Sequence, residues 1–208
     1  MEDLKRFSAA IETVERYEQY LYQRAMGLAL IVNGLVGPSV FFMVLKADSF
    51  STLLDMTPTM FRIVSTTLLT GVGVFATIYL FASARVLFSK VSETENKHSL
   101  SFMLLIFCVW FFAFFLTRYV PEPFTGVGWS LAGGLASLVT YLIMSVSGHM
   151  KRPELLIIGF INVAACLPVF LYGNLLEVEV AVLAVYAVSF VCGGAYSTMN
   201  ANRYLEAA

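Results

Sequence analysis

Six stretches of this chain carry no formal charge over 19 to 26 residues: 25–45, 63–84, 99–117, 123–148, 155–176 and 180–202. About 20 residues of α-helix, rising ~1.5 Å each, cover the ~30 Å hydrocarbon core of a bilayer. A peptide group left unpaired in lipid costs several kcal/mol, so such runs are expected as helices rather than strands. Composition agrees. Hydrophobic residues make up 59% and charged residues 13%, where soluble domains run near ~45–50% and ~25%. The sequence therefore predicts an all-α polytopic membrane protein: a six-helix transmembrane bundle preceded by a cytoplasmic amphipathic helix. The helix occupies 1–24, and 25–208 form one transmembrane domain with spans near 25–45, 63–88, 100–119, 128–147, 155–172 and 180–199.

The connections give the orientation, because Lys and Arg concentrate on the cytoplasmic side of short loops. Counting alternate connections places ten of them on one side: Lys5, Arg6, Arg16, Arg24, Arg85, Lys90, Lys97, Lys151, Arg152 and Arg203. Three fall on the other: Lys46, Arg62 and Arg118. Both termini are expected in the cytoplasm of a cell (inner or plasma) membrane protein. The first apolar stretch begins only at Ala25, after nine charges, and is long enough to span, which argues against a cleaved signal peptide.

Residues 2–24 place Leu4, Phe7, Ile11, Val14 and Leu21 at helical spacing among charges. Tyr17, Tyr20 and Tyr22 approach the first span, where an aromatic belt sits. Five acids against four bases is an uneven match to an anionic lipid surface. The segment is expected either on the inner membrane surface or docked on a partner.

The spans differ in content. The third holds Phe102, Phe107, Trp110, Phe111, Phe112, Phe114 and Phe115 and no glycine, so it is expected at the periphery. The first carries Ala25, Ala29, Asn33 and Gly37 four apart, the fourth Gly133 and Ser137, and the sixth Ser189, Gly193 and Ser197. Small residues at that spacing let backbones approach and drive helix association in lipid. These positions are read as helix-contact seams.

Chemistry is sparse. No Asp, Glu, Lys or His lies deep in a predicted span, which argues against a proton relay or ion coupling there. His98 and His149 lie in connections, so buried haem ligation by histidine pairs is not expected. Cys108, Cys166 and Cys192 fall inside spans without metal-ligand spacing. No serine–base pair or intramembrane acid set suits hydrolysis. No basic stripe suits nucleic acid. The chain is not expected to be an enzyme, and no cofactor is implied.

What polarity remains inside the spans is Asn33 followed by Pro38, and Asn162 followed by Pro168. Proline removes a helix hydrogen bond and frees a carbonyl, so each pair is a candidate helix break with an amide beside it. Asn33, Asn162 and Arg118 are the candidate solute-binding residues, Arg118 alternatively pairing with Glu122 or reaching the headgroups. In topology the chain resembles permease subunits of ABC-2-type exporters, although Ser89–Asn96 lacks their Glu-Arg-Glu signature. It also resembles vitamin-binding components of energy-coupling-factor importers, with Ala25 and Ala29 four apart. The leading expectation is a transport or channel-type subunit for a small, weakly polar solute. The alternative is a non-catalytic assembly subunit of a larger membrane complex. In either case the partners are the lipid bilayer and a second copy or another subunit met through residues 2–24.

Overall fold

The computed structural model describes residues 2–89, 96–120, 124–147, 152–172 and 176–206. Lys90, Glu122, His149 and Lys151 lie outside the described residues, as do the side chains of Arg85 and Arg118. Among the described residues there are helices and turns and no strand. They are α1 (Glu2–Leu45), α2 (Ala47–Leu53), α3 (Pro58–Ser89), α4 (Asn96–Leu116), a 3-10 turn (Thr117–Tyr119), α5 (Thr125–Val146), α6 (Pro153–Ala165), α7 (Leu167–Tyr172), α8 (Leu176–Ala201) and α9 (Arg203–Glu206). Four helical stretches are long and apolar enough to cross a membrane: Ala10–Leu45, Pro58–Ala84, Gly126–Val146 and Leu176–Leu205. Two apolar stretches are shorter, Leu104–Leu116 and Pro153–Val169.

Helix α1 is continuous for 44 residues, about 66 Å at ~1.5 Å per residue. The change in composition at residue 24 is not a break in the helix. Nor is Pro38, expected as a helix break, because α1 runs through it. The residue before a proline is driven out of the helical region by a clash between its Cβ and the proline ring. Here that residue is Gly37, which has no Cβ. Near the second proline, Pro168, the helix does give way, one residue before Leu167. It ends at Ala165, Cys166 forms a turn, and α7 resumes at Leu167.

The short α2 turns the chain back after α1. Asp55, with φ of 53°, makes the left-handed step that an Asp accepts more readily than most side chains. Pro58 occupies the first position of α3, where its missing N–H costs nothing. Thr57 Oγ1 accepts from the Met60 amide at 3.3 Å as the cap.

Helices α1, α5, α6 and α8 enclose the core. It comprises Met26 and Leu30 from α1, Met144 from α5, Leu155 and Ile158 from α6, and Tyr186 and Phe190 from α8. Half (50%) of the most apolar window of α5 is buried, against 11% of that of α3, so α3 is the most peripheral long helix. Helix α4 presents Phe107, Phe111, Phe112 and Phe115 outward but turns one edge in. Trp110 Nε1 donates to Thr140 Oγ1 at 3.0 Å, and its ring meets Phe190 edge-on, with centroids 5.9 Å apart. Phe114 lies 4.8 Å from the Trp129 ring.

Candidate functional site

The two asparagines singled out by the sequence both approach Tyr186, Asn162 through Ser189 and Asn33 through its main-chain oxygen. Asn162, fully buried on α6, donates through Nδ2 to the Ile158 oxygen at 2.8 Å and to Ser189 Oγ on α8 at 2.7 Å. Its Oδ1 accepts from Ser130 Oγ on α5 at 3.1 Å. The amide thus ties three helices together, with both of its N–H groups in use. Ser189 Oγ in turn donates to the Tyr186 oxygen at 2.9 Å, and Tyr186 Oη donates to the Asn33 oxygen on α1 at 3.2 Å. The side chain of Asn33 bonds back to Ala29 on its own helix at 2.8 Å.

Tyr186 stands between the two asparagines, and glycines make its room. A Cβ on Gly37 of α1 would lie 3.0 Å from Tyr186 Cε1, and one on Gly133 of α5 would lie 2.6 Å from Cε2. The ring is held between two bare stretches of backbone. Ser137, also fully buried, donates to the Gly133 oxygen at 2.8 Å within its own helix.

The remaining seam positions divide between neighbours. Ala25 and Ala29 are buried on α1. Gly193 of α8 faces Ile158 of α6 rather than α1. Its neighbour Gly194 faces Gly27, and a Cβ on Gly27 would lie 2.6 Å from the Gly194 oxygen. Gly34 similarly clears Phe190, whose Cβ would lie 2.7 Å away. Gly27, Gly34 and Gly194 were not singled out by the four-residue stripe. Four residues turn a helix about 400°, so a strict stripe drifts ~40° per step. The seam mixes steps of three and four: Gly27, Leu30, Gly34 and Gly37 on α1, and Tyr186, Phe190, Gly194, Ser197 and Ala201 on α8. That mixture was the available signal.

Charged groups are buried at the ends of the bundle. At one end Glu179 of α8, 4% exposed, accepts from the Gly126 amide at 3.0 Å. It caps α5 where the helix dipole favours an anion. At the opposite end Ser197 Oγ donates to Glu154 Oε1 at 3.2 Å and stands 3.4 Å from the Gln23 oxygen. Arg152, 3% exposed, stands beside Glu154 with 4.0 Å between Nη1 and Oε1. Desolvation lowers the pKa of this guanidinium below its ordinary value, Glu154 opposing the shift. Sequence reasoning counted Arg152 among the loop charges and did not foresee its burial.

A groove of about 680 Å³ runs along the outside of α6 and α8. Ile157, Ile161, Val185 and Val188 form its walls, Gly193 opens its floor, and Glu154 stands at one end. Ser189 reaches the same groove. Among the described residues, no three of His, Cys, Asp and Glu gather as a metal site.

Compared with protein-family models, with curated proteins and with solved structures, the chain matches none of them.

Proposed function

We propose that this chain is a non-catalytic assembly subunit of a larger membrane complex, crossing the bilayer six times with both termini in the cytoplasm. The observation that carries the reading is the state of Asn162. Its amide is spent on Ile158, Ser189 and Ser130, so it serves helix association and leaves no donor for a solute. The four long apolar stretches account for four crossings. Helix α4, of 21 residues, and α6 with α7, together residues 153–172, each reach ~30 Å at ~1.5 Å per residue and supply the other two.

The docking element is the N-terminal half of α1. Phe7, Ile11 and Val14 lie on one face and are 66%, 45% and 39% exposed, on a helix longer than a bilayer is thick. Mixed charge, including the Glu12–Arg16 pair, suits a helix of a partner subunit better than an anionic lipid surface. The test is the mass of the native assembly, released in a mild detergent, with and without residues 2–16, a cut that leaves the buried Tyr20 and Gln23 in place. The full chain is expected in a defined complex with a second subunit, and the truncated chain is expected without it. An unchanged complex overturns the docking role.

A second reading, a transport or channel-type subunit for a small weakly polar solute, draws on the α6–α8 groove, where Ser189 lines the wall and accepts from Asn162 behind it. It requires the Ser189–Asn162 contact to open during turnover. Solute flux into liposomes containing the purified chain alone tests it.

A further inference from the structure

Where α1 enters the bundle and α8 leaves it, the fold encloses a positive charge. Arg152, at the start of α6, is 3% exposed. Its Nε and Nη1 have no hydrogen-bond partner among the described residues, and neither has Oε1 of the buried Gln23 on α1. Glu154 stands 4.0 Å from Nη1, with the same oxygen already accepting from Ser197 of α8. Two phenols lie within electrostatic reach of the guanidinium, Tyr22 of α1 and Tyr204 of α9. A phenol is neutral near pH 7 and supplies no counter-charge. Desolvating a charged donor without pairing it is unfavourable, so the closed arrangement holds a penalty that water would relieve.

The element at this end is the slightest in the fold. After α8 the chain turns at Asn202, whose amide bonds to the Met199 oxygen at 3.2 Å. Helix α9, four residues long, then lies against α1. Ala201 before it is fully buried and Tyr204 half-buried, while Arg203 and Leu205 are exposed. Segments with few buried contacts are the first to open in a native protein.

We propose that α9 is a strap poised to open over Arg152: closed, it keeps the guanidinium from water, and open, it lets water reach it. The unmet donors of Arg152 make the closed form marginal. Tyr22 and Gln23 lie at the root of the exposed half of α1, so the state of the strap sets how firmly that half is anchored. The device does not depend on what that half of α1 binds.

The experiment is hydrogen–deuterium exchange of the full chain in detergent, read by mass spectrometry in segments 17–24 and 153–158. It compares the wild type, Glu154→Gln, the double substitution Arg152→Met with Glu154→Gln, and a chain ending at Asn202. Glu154→Gln keeps an acceptor for Ser197 but leaves the cation without its anion, so exchange in both segments is expected to rise tenfold or more. The double substitution removes the cation and its unmet donors together, and exchange is expected to fall about tenfold below the wild type. Loss of α9 is expected to raise exchange in both segments as Glu154→Gln does, with Gly126–Val146 unchanged. If Arg152 and Glu154 were simply a stabilising pair, the double variant would exchange faster than the wild type, and that result overturns the strap. So does loss of α9 that leaves both segments unchanged, or a rise spread evenly over all helices. Should the double variant not fold, the chain ending at Asn202 decides, because residues 203–208 add nothing to the core around Tyr186 and Phe190.

Discussion

Tyr186 Oη donates to the main-chain oxygen of Asn33 across the α1–α8 seam at 3.2 Å, while Gly37 and Gly133 leave the ring its place. Two kinds of interaction meet at this residue, and they differ in size. Interhelical hydrogen bonds in membranes average ~0.6 kcal/mol and reach ~1.7. Overfilling a close-packed site costs about 1–3 kcal/mol. Tyr186→Phe is therefore expected to lower the thermal midpoint in detergent slightly, and Gly133→Ala to lower it more. Unfolding followed by circular dichroism measures both. A Gly133→Ala variant as stable as Tyr186→Phe would mean the ring is not seated against α5.

The α1–α8 crossing makes a second comparison. Gly27 and Gly194 face one another so closely that a Cβ on Gly27 would lie 2.6 Å from the Gly194 oxygen. Gly71 on α3 has nothing within 4 Å. Gly27→Val and Gly194→Val are expected to lose stability by more than 1–2 kcal/mol, on the order of a core overpacking. Gly71→Ala is expected to gain up to about 0.5–1 kcal/mol, because alanine restricts the unfolded chain at no steric cost. Thermal midpoints of the three variants in one detergent decide the matter, and destabilisation by Gly71→Ala would place a neighbour on that face.

The helices were legible because charge is excluded from lipid, so six charge-free runs mark apolar helical segments without any tertiary information. Helix register was less legible. Small residues four apart on α8 suggested Gly193, while the contact with α1 belongs to Gly194, since a seam between two helices mixes steps of three and four. Asn162 was readable as a polar residue in an apolar run, but its partners Ser130 and Ser189 come from other helices and leave no local mark. Arg152 and Glu154 were the least legible. A charge next to a span reads as exposed, yet Glu154 is met by Ser197 and Arg152 stands near Tyr22 and Tyr204, all far away in sequence.

Pro38 yields a third prediction, because it separates two effects that adjacent residues share. The proline lacks an N–H for the Gly34 oxygen, yet α1 continues through it. Pro38→Ala restores that bond and is expected to be neutral or stabilising, since neighbouring helices already tolerate the gap. Gly37→Ala adds a Cβ 3.0 Å from Tyr186 Cε1 and also confronts the proline ring. It is expected to be clearly destabilising, and the double substitution to recover the part owed to proline. Unfolding midpoints of the two singles and the double measure this, and additivity within error would remove the pre-proline explanation for the unbroken helix.

The last prediction bears on function. Asn162 makes two side-chain bonds to other helices, with Ser189 at 2.7 Å and Ser130 at 3.1 Å. At ~0.6 kcal/mol each, Asn162→Ala should cost about 1–2 kcal/mol once its unpaired partners are included. In a double-mutant cycle with Ser189→Ala the coupling should be near ~0.6 kcal/mol, the worth of the shared bond. An assembly role requires that this loss appear as reduced stability, in step with reduced recovery of the complex. A transport role requires something different, since an amide that handles solute is expected to change flux in liposomes whatever happens to stability. Asn162→Ala with an unchanged midpoint, no coupling to Ser189 and altered flux would overturn the assembly reading and leave the amide as a solute ligand.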